Sequence, residues 1–238
     1  MSQAIDYAGS ELDAMDRASN YRAWILDELR PFLGERVAEV GAGRGAFSRL
    51  LLAEPIDRLL AVEPSPSLLQ PLAHAMAGDP RASVCAGTLA AVQAEPASSF
   101  DSVLYLNVLE HIADDRAELA RAREMLAPDG HVCVFSPALP WLFSRFDAQV
   151  GHHRRYTRAR MSRLLRDAGY EPVLVRYMDL PGVLVWLVAL RLLRLPLSGW
   201  MVGPYDRLVV PPLRRIERWL RMPIGRSLLA VGRVPGST

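Results

Sequence analysis

The chain has 238 residues, half of them hydrophobic and 23% charged, which excludes a disordered chain and a small disulfide scaffold and leaves room for a large core. A formal net charge of +2 gives no reason to expect a nucleic-acid-binding protein. All 28 basic residues are arginine, so a lysine base or Schiff base is excluded. Cys85 and Cys133 fall in apolar stretches without partners at metal-ligand spacing, and we expect reduced, buried thiols.

The first predicted element is an N-terminal helical arm over residues 1–30, with Tyr21, Trp24, Ile25 and Leu29 on its apolar face. Strand-like and helix-like segments then alternate up to about residue 180, a pattern typical of a parallel sheet with helices on both faces. The predicted strands are Arg36–Val40, Arg58–Val62, Ser83–Ala86, Ser102–Leu106, His131–Phe135, Pro172–Tyr177 and, near the end, Ser227–Val234.

Helices are predicted between these strands, and residues that favour helix starts and turns mark their ends. Helices over Phe47–Ala53 and Leu68–Ala77 follow the first two strands, and the second of them ends at Gly78. The predicted caps of three helices are Ser65, Asp114 or Asp115, and Thr157, and a turn is predicted at Pro128-Asp129-Gly130.

Residues 180–222 form an apolar, arginine-rich insert ahead of the last strand. Its uninterrupted apolar run, Pro181–Leu190, is about half a bilayer-spanning helix. We therefore expect a helix that covers a pocket, touches a membrane surface or forms a homodimer interface. The polar, acidic start from Met1 to Asp16 has no apolar core typical of a secretory signal, and we expect a cytoplasmic protein with possible peripheral membrane contact.

Three closely spaced glycines follow the first strand, in the run Glu39-Val40-Gly41-Ala42-Gly43-Arg44-Gly45. Glycine allows a sharp turn and a close approach of the backbone to a ligand. Glu63 ends the second strand, 22 residues after Gly41, where a carboxylate can accept both hydroxyls of a ribose. The spacing also satisfies the dinucleotide fingerprint, with Ala46 in the last position. Glu39 favours a cationic ligand over a pyrophosphate, and a tight turn without a ligand is a third interpretation.

Four blocks in this order resemble class I S-adenosylmethionine-dependent methyltransferases. They are Glu39–Gly45, Ala61-Val62-Glu63-Pro64-Ser65, Phe100–Val103 with Asn107-Val108-Leu109-Glu110-His111-Ile112, and Leu126–Gly130. The resemblance implies a single domain over 1–238 of the α/β class: a Rossmann-like seven-stranded, mostly parallel sheet with an antiparallel last strand. It also implies S-adenosylmethionine as the cofactor.

The resemblance assigns the cofactor site residue by residue. The glycines would pass under the amino acid and ribose of the cofactor, Glu63 would hold the ribose hydroxyls, and Asn107 would contact the methionine part. Many relatives carry an acid after the third strand near the adenine, whereas this chain has Gly87-Thr88-Leu89. The implied cofactor-binding set is Tyr21, Glu39, Gly41, Gly43, Gly45, Glu63, Pro64, Thr88, Leu89 and Asn107.

The stretch Gly151-His152-His153-Arg154-Arg155-Tyr156-Thr157 follows the fifth strand and, together with Asn20-Tyr21 and Trp24, resembles a bacterial subgroup of small-molecule methyltransferases. Candidate proton-handling residues are His111, His152, His153 and Tyr156. Candidate substrate-binding residues are Trp24, Arg154, Arg155 and Trp186. Structural alternatives stand beside them: His111 bracing the next helix, arginines paired with Asp147, and Tyr21 and Trp24 as core. No metal site is predicted.

These observations predict methylation of a small hydrophobic or aromatic metabolite, with oxygen favoured as the acceptor atom because His and Tyr are the available proton handlers. Methylation of carbon or nitrogen stays open. Two rival classes are a nicotinamide-dependent dehydrogenase, which would leave Asn107–His111 unexplained, and a non-catalytic partner protein with this fold. A nucleic-acid substrate is not expected, because no Asn-Pro-Pro-Tyr-type sequence follows the fourth strand.

Overall fold

The structure is a computed structural model that describes residues 17–92, 99–193 and 199–236. Seven strands form one sheet. They are β1 (Arg36–Val40), β2 (Arg58–Glu63), β3 (Ala82–Ala86), β4 (Phe100–Leu106), β5 (Leu126–Pro137), β6 (Glu171–Met178) and β7 (Ser227–Arg233). The sheet order is β3-β2-β1-β4-β5-β7-β6. This is the Rossmann-like sheet that the resemblance implies.

All strands except β7 run parallel, and β7 runs antiparallel between β5 and β6. The strand order reverses between β1 and β4, and open α/β sheets bind ligands in the crevice at such a point, beyond the carboxyl ends of the strands. Because β7 is antiparallel, it begins at the edge where the other strands end. Residues just before β7 therefore lie beside those that follow β4, β5 and β6.

Nine helices are seen in the described ranges. They are α1 (Ser19–Leu29), α2 (Ser48–Leu52), α3 (Pro66–Met76), α4 (Asp115–Met125), α5 (Arg145–Gln149), α6 (Arg158–Asp167), α7 (Leu180–Val185), α8 (Gly199–Leu208) and α9 (Val210–Trp219). A π-helical stretch, Trp186–Leu192, continues α7, and 3-10 turns lie at Arg30–Phe32, Leu89–Ala91, Leu109–His111 and Pro140–Leu142. Within the described residues, no helix combines the length and the apolar character needed to span a membrane.

Apolar cores lie on both faces of the sheet, because successive side chains of a strand point to opposite faces. Val103 and Tyr105 of β4 belong to one core and Leu104 to the other. All three are fully buried, which explains why the central strands are continuous apolar runs. The apolar face of α1 packs in the second core, where Trp24 and Leu29 are fully buried.

The predicted strands and caps agree with the structure with two corrections. Asp114 and Thr157 cap their helices by accepting from the backbone N–H groups of Ala117 and Arg160. Ser65 holds the N-cap position of α3, but its side chain makes no cap hydrogen bond. The predicted turn at 128–130 is an irregularity inside β5, with Asp129 at φ +62°. Residues 1–16 of the predicted arm and 194–198 of the insert lie outside the described residues.

Candidate functional site

The three glycines after β1 all adopt left-handed backbone conformations, with φ of +71° at Gly41, +59° at Gly43 and +78° at Gly45. A Cβ atom at Gly41 would overlap the side chain of Val108, and one at Gly45 would lie 3.0 Å from Leu72. Nothing lies within 4 Å of a Cβ added at Gly43. Packing therefore explains two of the glycines, whereas Gly43 borders open space into which a ligand can approach the backbone.

The carboxylate of Glu63 sits at the mouth of this glycine loop. Its two oxygens accept the backbone N–H groups of Gly43 and Ser65, each at 2.8 Å. Burial raises the pKa of Glu63, and the two backbone hydrogen bonds oppose that rise. The carboxylate thus lies beside the open space at Gly43, as the sequence predicts, and the neighbouring Pro64 is exposed.

Glu39 is a second buried carboxylate beneath the loop. It accepts a short hydrogen bond from the hydroxyl of Ser48 at the start of α2. Burial raises the pKa of Glu39 to about 7, because the charged form loses its hydration and the charge of Glu63 adds to the penalty. A cationic ligand would favour the ionised form of this residue.

The remaining residues assigned to the cofactor lie at the ends of β3 and β4. Asn107 has φ +55° and donates its backbone N–H to the carbonyl of Phe135 at 2.7 Å. A positive φ at a residue other than glycine is uncommon and is typical of functional sites. Thr88 is exposed, whereas the side chain of Leu89 is buried in the core, so a contact of that side chain with adenine is not available.

An apolar pocket lies at the same edge of the sheet. Tyr21, Val185, Trp186, Met201, Tyr205 and Arg226 are among the residues that line it. The pocket adjoins the cofactor edge, because the ring of Tyr21 packs 5.9 Å from that of Phe135, whose carbonyl holds Asn107. Trp186, proposed from the sequence for the substrate, and Tyr21, assigned to the cofactor, both line this apolar pocket.

Arg226 lines the pocket wall, and sequence reasoning missed both this residue and Asp179, the buried carboxylate that holds it. The guanidinium of Arg226 lies 5.1 Å from the ring centre of Tyr21 and donates to Asp179 at 2.7 Å. Asp179 is fully buried and also accepts from the hydroxyl of Tyr205. Asp179 follows β6 and Arg226 precedes β7. Because β7 is antiparallel, both residues lie at the ligand edge of the sheet, and this direction of β7 could have predicted them.

A cluster of acidic and imidazole side chains lies next to this pocket. His152 Nδ1 is 2.9 Å from Asp147 Oδ1, and His152 Nε2 is 3.9 Å from Glu110 Oε1. The rings of His111 and His152 meet edge to face at 4.6 Å. Arg155 joins the cluster to the pocket, because it pairs with Asp147 at 2.8 Å and stacks over Trp186 at 4.4 Å.

Burial shifts the pKa values of Glu110 and His111, the two neighbours of His152, in opposite directions. It raises the pKa of Glu110 to about 7 and lowers the pKa of His111 to about 3, since each group loses the hydration of its charged form. Both groups are therefore driven toward their neutral forms. Of the adjacent histidines, His152 faces the cluster and His153 is exposed, as expected for neighbours that point apart.

Four residues proposed from the sequence are buried or paired with other side chains of the protein. Tyr156 is fully buried and donates its hydroxyl to Asp115, so it is not placed to handle an acceptor's proton. Arg154 also pairs with Asp115, at 2.7 Å. Arg155 pairs with Asp147, the structural alternative noted above. Trp24 is fully buried and its indole N–H donates to Glu28, so it belongs to the core and not to a substrate site.

The sheet order, the antiparallel seventh strand and the glycine loop with its carboxylate define a Rossmann-like methyltransferase fold. The sequence profile of a methyltransferase domain matches residues 14–175, more than half of the chain. The chain therefore belongs to the class I S-adenosylmethionine-dependent methyltransferases, a family of enzymes whose cofactor is S-adenosylmethionine. The open space at Gly43, the carboxylate of Glu63 beside it and the buried carboxyl group of Glu39 beneath the loop fit this cofactor.

Curated relatives include two ubiquinone biosynthesis O-methyltransferases. That of Azorhizobium caulinodans is 37% identical over 111 residues, which cover 44% of this chain and 42% of the relative. That of Ruegeria pomeroyi is 31% identical over 165 residues, covering 62% and 64%. The chain thus spans less than two thirds of either relative. Among solved structures, the Burkholderia thailandensis 1,6-didemethyltoxoflavin-N1-methyltransferase with bound S-adenosylhomocysteine shares 19% identity and a TM-score of 0.56, over 92% of this chain and 78% of that one.

Proposed function

We propose that this chain methylates a hydroxyl oxygen of a small apolar or aromatic metabolite. The bound cofactor supplies an electrophilic methyl group on a sulfonium, and the protein has to align the acceptor and exclude water. The observation that carries the proposal is the apolar pocket walled by aromatic side chains, which Tyr21 and Phe135 connect to Asn107 at the edge where the cofactor family binds its methyl donor.

Pocket chemistry supports an aromatic acceptor. Tyr21 and Trp186 offer ring surfaces, and Arg226 lies within cation–π range of both. The guanidinium also places a positive charge at the pocket wall, which favours an acceptor that develops negative charge on oxygen. Relatives named O-methyltransferases agree with an oxygen acceptor. The identity of the methylated products would distinguish a carbon or nitrogen acceptor from an oxygen acceptor.

The proposal is tested with a panel of phenols, catechols, amines and carbon acids. The purified chain is incubated with S-adenosylmethionine, and products are detected by mass spectrometry as a gain of one methyl group. We expect products from hydroxylated aromatic compounds. Turnover of amines or carbon acids alone would overturn the oxygen assignment, and cofactor binding without turnover of any acceptor would favour a non-catalytic partner protein.

A matched pair of tryptophan variants tests the acceptor pocket. Trp186→Ala removes a buried pocket wall, whereas Trp141→Ala changes a side chain that is 48% exposed. We expect Trp186→Ala to raise the KM for the acceptor about 10-fold or more, in line with the loss of a buried aromatic contact. Affinity for S-adenosylhomocysteine should stay the same in both variants. Equal acceptor KM values in the two variants would contradict the placement of the acceptor.

We also propose that the 180–222 insert docks on an anionic membrane surface. Its large apolar side chains are more than half exposed at Leu184, Leu192, Leu193, Leu208, Trp219 and Leu220. Arg215, Arg218 and Arg221 are exposed beside Trp219. Exposed apolar side chains interleaved with arginines match an interface of apolar lipid chains under anionic headgroups. An acceptor drawn from the membrane would reach the pocket along the same insert, since Val185 and Met201 line it.

A further inference from the structure

The cluster of Glu110, His111 and His152 holds a feature that methyl transfer does not require. One ligand atom from each side chain lies within 4.8 Å of the other two. Glu110 is fully buried, Ser136 donates to its Oε2 at 3.0 Å, and its Oε1 has no hydrogen-bond partner among the described residues. A buried carboxylate oxygen without a partner is costly, and it faces His152 Nε2.

Both imidazole rings are oriented as metal ligands usually are. His152 Nδ1 is held by Asp147 at 2.9 Å, which directs Nε2 toward Glu110. The ring of His111 is hydrogen-bonded to the backbone of Val150 and Gly151. A ligating histidine commonly donates its other nitrogen to a carboxylate or a backbone carbonyl, which fixes the tautomer and the ring direction.

From this geometry we propose that Glu110, His111 and His152 bind one divalent transition-metal cation, of the zinc, cobalt or manganese type. Two imidazole nitrogens and one carboxylate oxygen are a ligand set that suits such ions, with positions left for water or a substrate oxygen. Ligand atoms around one zinc lie about 3.4 Å apart, so the cluster has to contract by up to about 1.4 Å on binding.

The electrostatics of the cluster agree with a cation between these groups. Among the described residues, Arg155 contacts the cluster through Asp147, and its guanidinium is paired with that carboxylate. A cation would give the orphaned oxygen of Glu110 its missing partner.

Asp147, Arg155 and Trp186 connect this place to the acceptor pocket, which none of the three proposed ligands lines. A hydroxyl bound to a divalent cation loses its proton to water more readily, because the metal stabilises the oxygen anion. This role rests on the proposed function, whereas the binding site itself does not. Metal binding and methyl transfer can therefore fail separately.

The test is a titration of the chelator-treated full chain with Co²⁺, followed by its visible absorption. We expect one Co²⁺ per chain and at least a 10-fold loss of affinity in Glu110→Gln and in His152→Ala. His153→Ala is the matched control, since it changes an exposed neighbouring histidine, and it should bind like the wild type. Failure of the wild type to bind one equivalent, or an equal loss in His153→Ala, would overturn the site.

A second measurement decides the question if a variant does not fold. X-ray absorption of the zinc-loaded wild type should show two imidazoles and oxygen ligands, and a spectrum with sulfur or without imidazole would place the ion elsewhere. Calorimetry with S-adenosylhomocysteine on the metal-free chain serves as the control, because it reports the cofactor site independently of the metal.

Discussion

Two buried carboxylates under the glycine loop, Glu39 and Glu63, have different partners and therefore different expected roles. Glu63 is held by two backbone N–H groups and lies at the open space beside Gly43. Glu39 lies deeper, with one hydroxyl partner in Ser48. We expect Glu63 to bind the ribose hydroxyls directly and Glu39 to favour the positive charge of the cofactor through its electrostatic field.

The first prediction concerns Glu63. In Glu63→Gln the side chain keeps its shape and loses its charge, so we expect affinity for S-adenosylhomocysteine to fall about 10- to 100-fold, the worth of a hydrogen bond to a charged group. Glu124→Gln on the exposed face of α4 is the control. Calorimetry gives both affinities, and an unchanged value in Glu63→Gln would show that the carboxylate does not touch the ribose.

The second prediction concerns Glu39 and pH. The pKa of Glu39 is about 7 in the folded state, above its unfolded value, so the folded state binds a proton more tightly than the unfolded state does. This proton stabilises the folded state fully below about pH 4.5, and the stabilisation is lost as the pH rises through 7. The free energy of unfolding should fall by about 2.5 kcal/mol more in the wild type than in Glu39→Gln between pH 5 and pH 8. Urea unfolding at both pH values measures it. Identical pH slopes in the two proteins would refute it.

The sequence could predict a site residue where the pattern that marks it lies within a short stretch of the chain. The glycine loop, Glu63 and Asn107 follow directly on strands, so strand ends alone place them together. Asp147 meets His152 and Arg155, which are near it in the chain. Arg226 meets Asp179 and Tyr21, which are far away in the chain, and only the antiparallel course of β7 brings it in. The same distance explains the missed cluster, because His152 is 42 residues from Glu110.

At the scale of elements, helix starts were predictable where a side chain caps the first turn. Asp114 and Thr157 are such residues. Ser65 makes no side-chain cap, because its hydroxyl contacts that of Ser67 at 3.0 Å and the N–H of Leu68 goes to the backbone carbonyl of Ser65. A cap therefore depends on what else competes for the same groups, which a short sequence window does not show.

The insert gives the third prediction. Trp219 at the end of α9 is 83% exposed. We expect the chain to sediment with anionic phosphatidylglycerol vesicles more than with neutral phosphatidylcholine vesicles, and Trp219→Ser to weaken that binding about 10-fold, because a large aromatic side chain leaves the interface. Trp141→Ser is the matched control.

Vesicle sedimentation and analytical ultracentrifugation together separate the two uses of this surface. If Trp219→Ser converts a dimer into a monomer without vesicles and binds vesicles like the wild type, the insert is a dimer interface. Equal binding of the wild type to both kinds of vesicle would remove the electrostatic part of the proposal.

For the whole molecule, the alternation of strands and helices was sufficient to predict the sheet, and the family resemblance supplied the antiparallel last strand. The position of β7 between β5 and β6 has the larger consequence, because it brings the insert and Arg226 to the ligand edge. We therefore expect the cofactor half of the site at β1, β2 and β4, and we propose the acceptor half at α1 and the insert.

The central claim is that the open space at Gly43 holds S-adenosylmethionine. Gly43 and Gly78 both have positive φ and nothing within 4 Å of an added Cβ, so Gly43→Leu and Gly78→Leu carry similar backbone strain. Calorimetry should show one S-adenosylhomocysteine per chain in the wild type and in Gly78→Leu, no NAD binding, and loss of cofactor binding in Gly43→Leu alone. Tight binding of NAD without S-adenosylhomocysteine, or equal affinities in the two variants, would contradict the account.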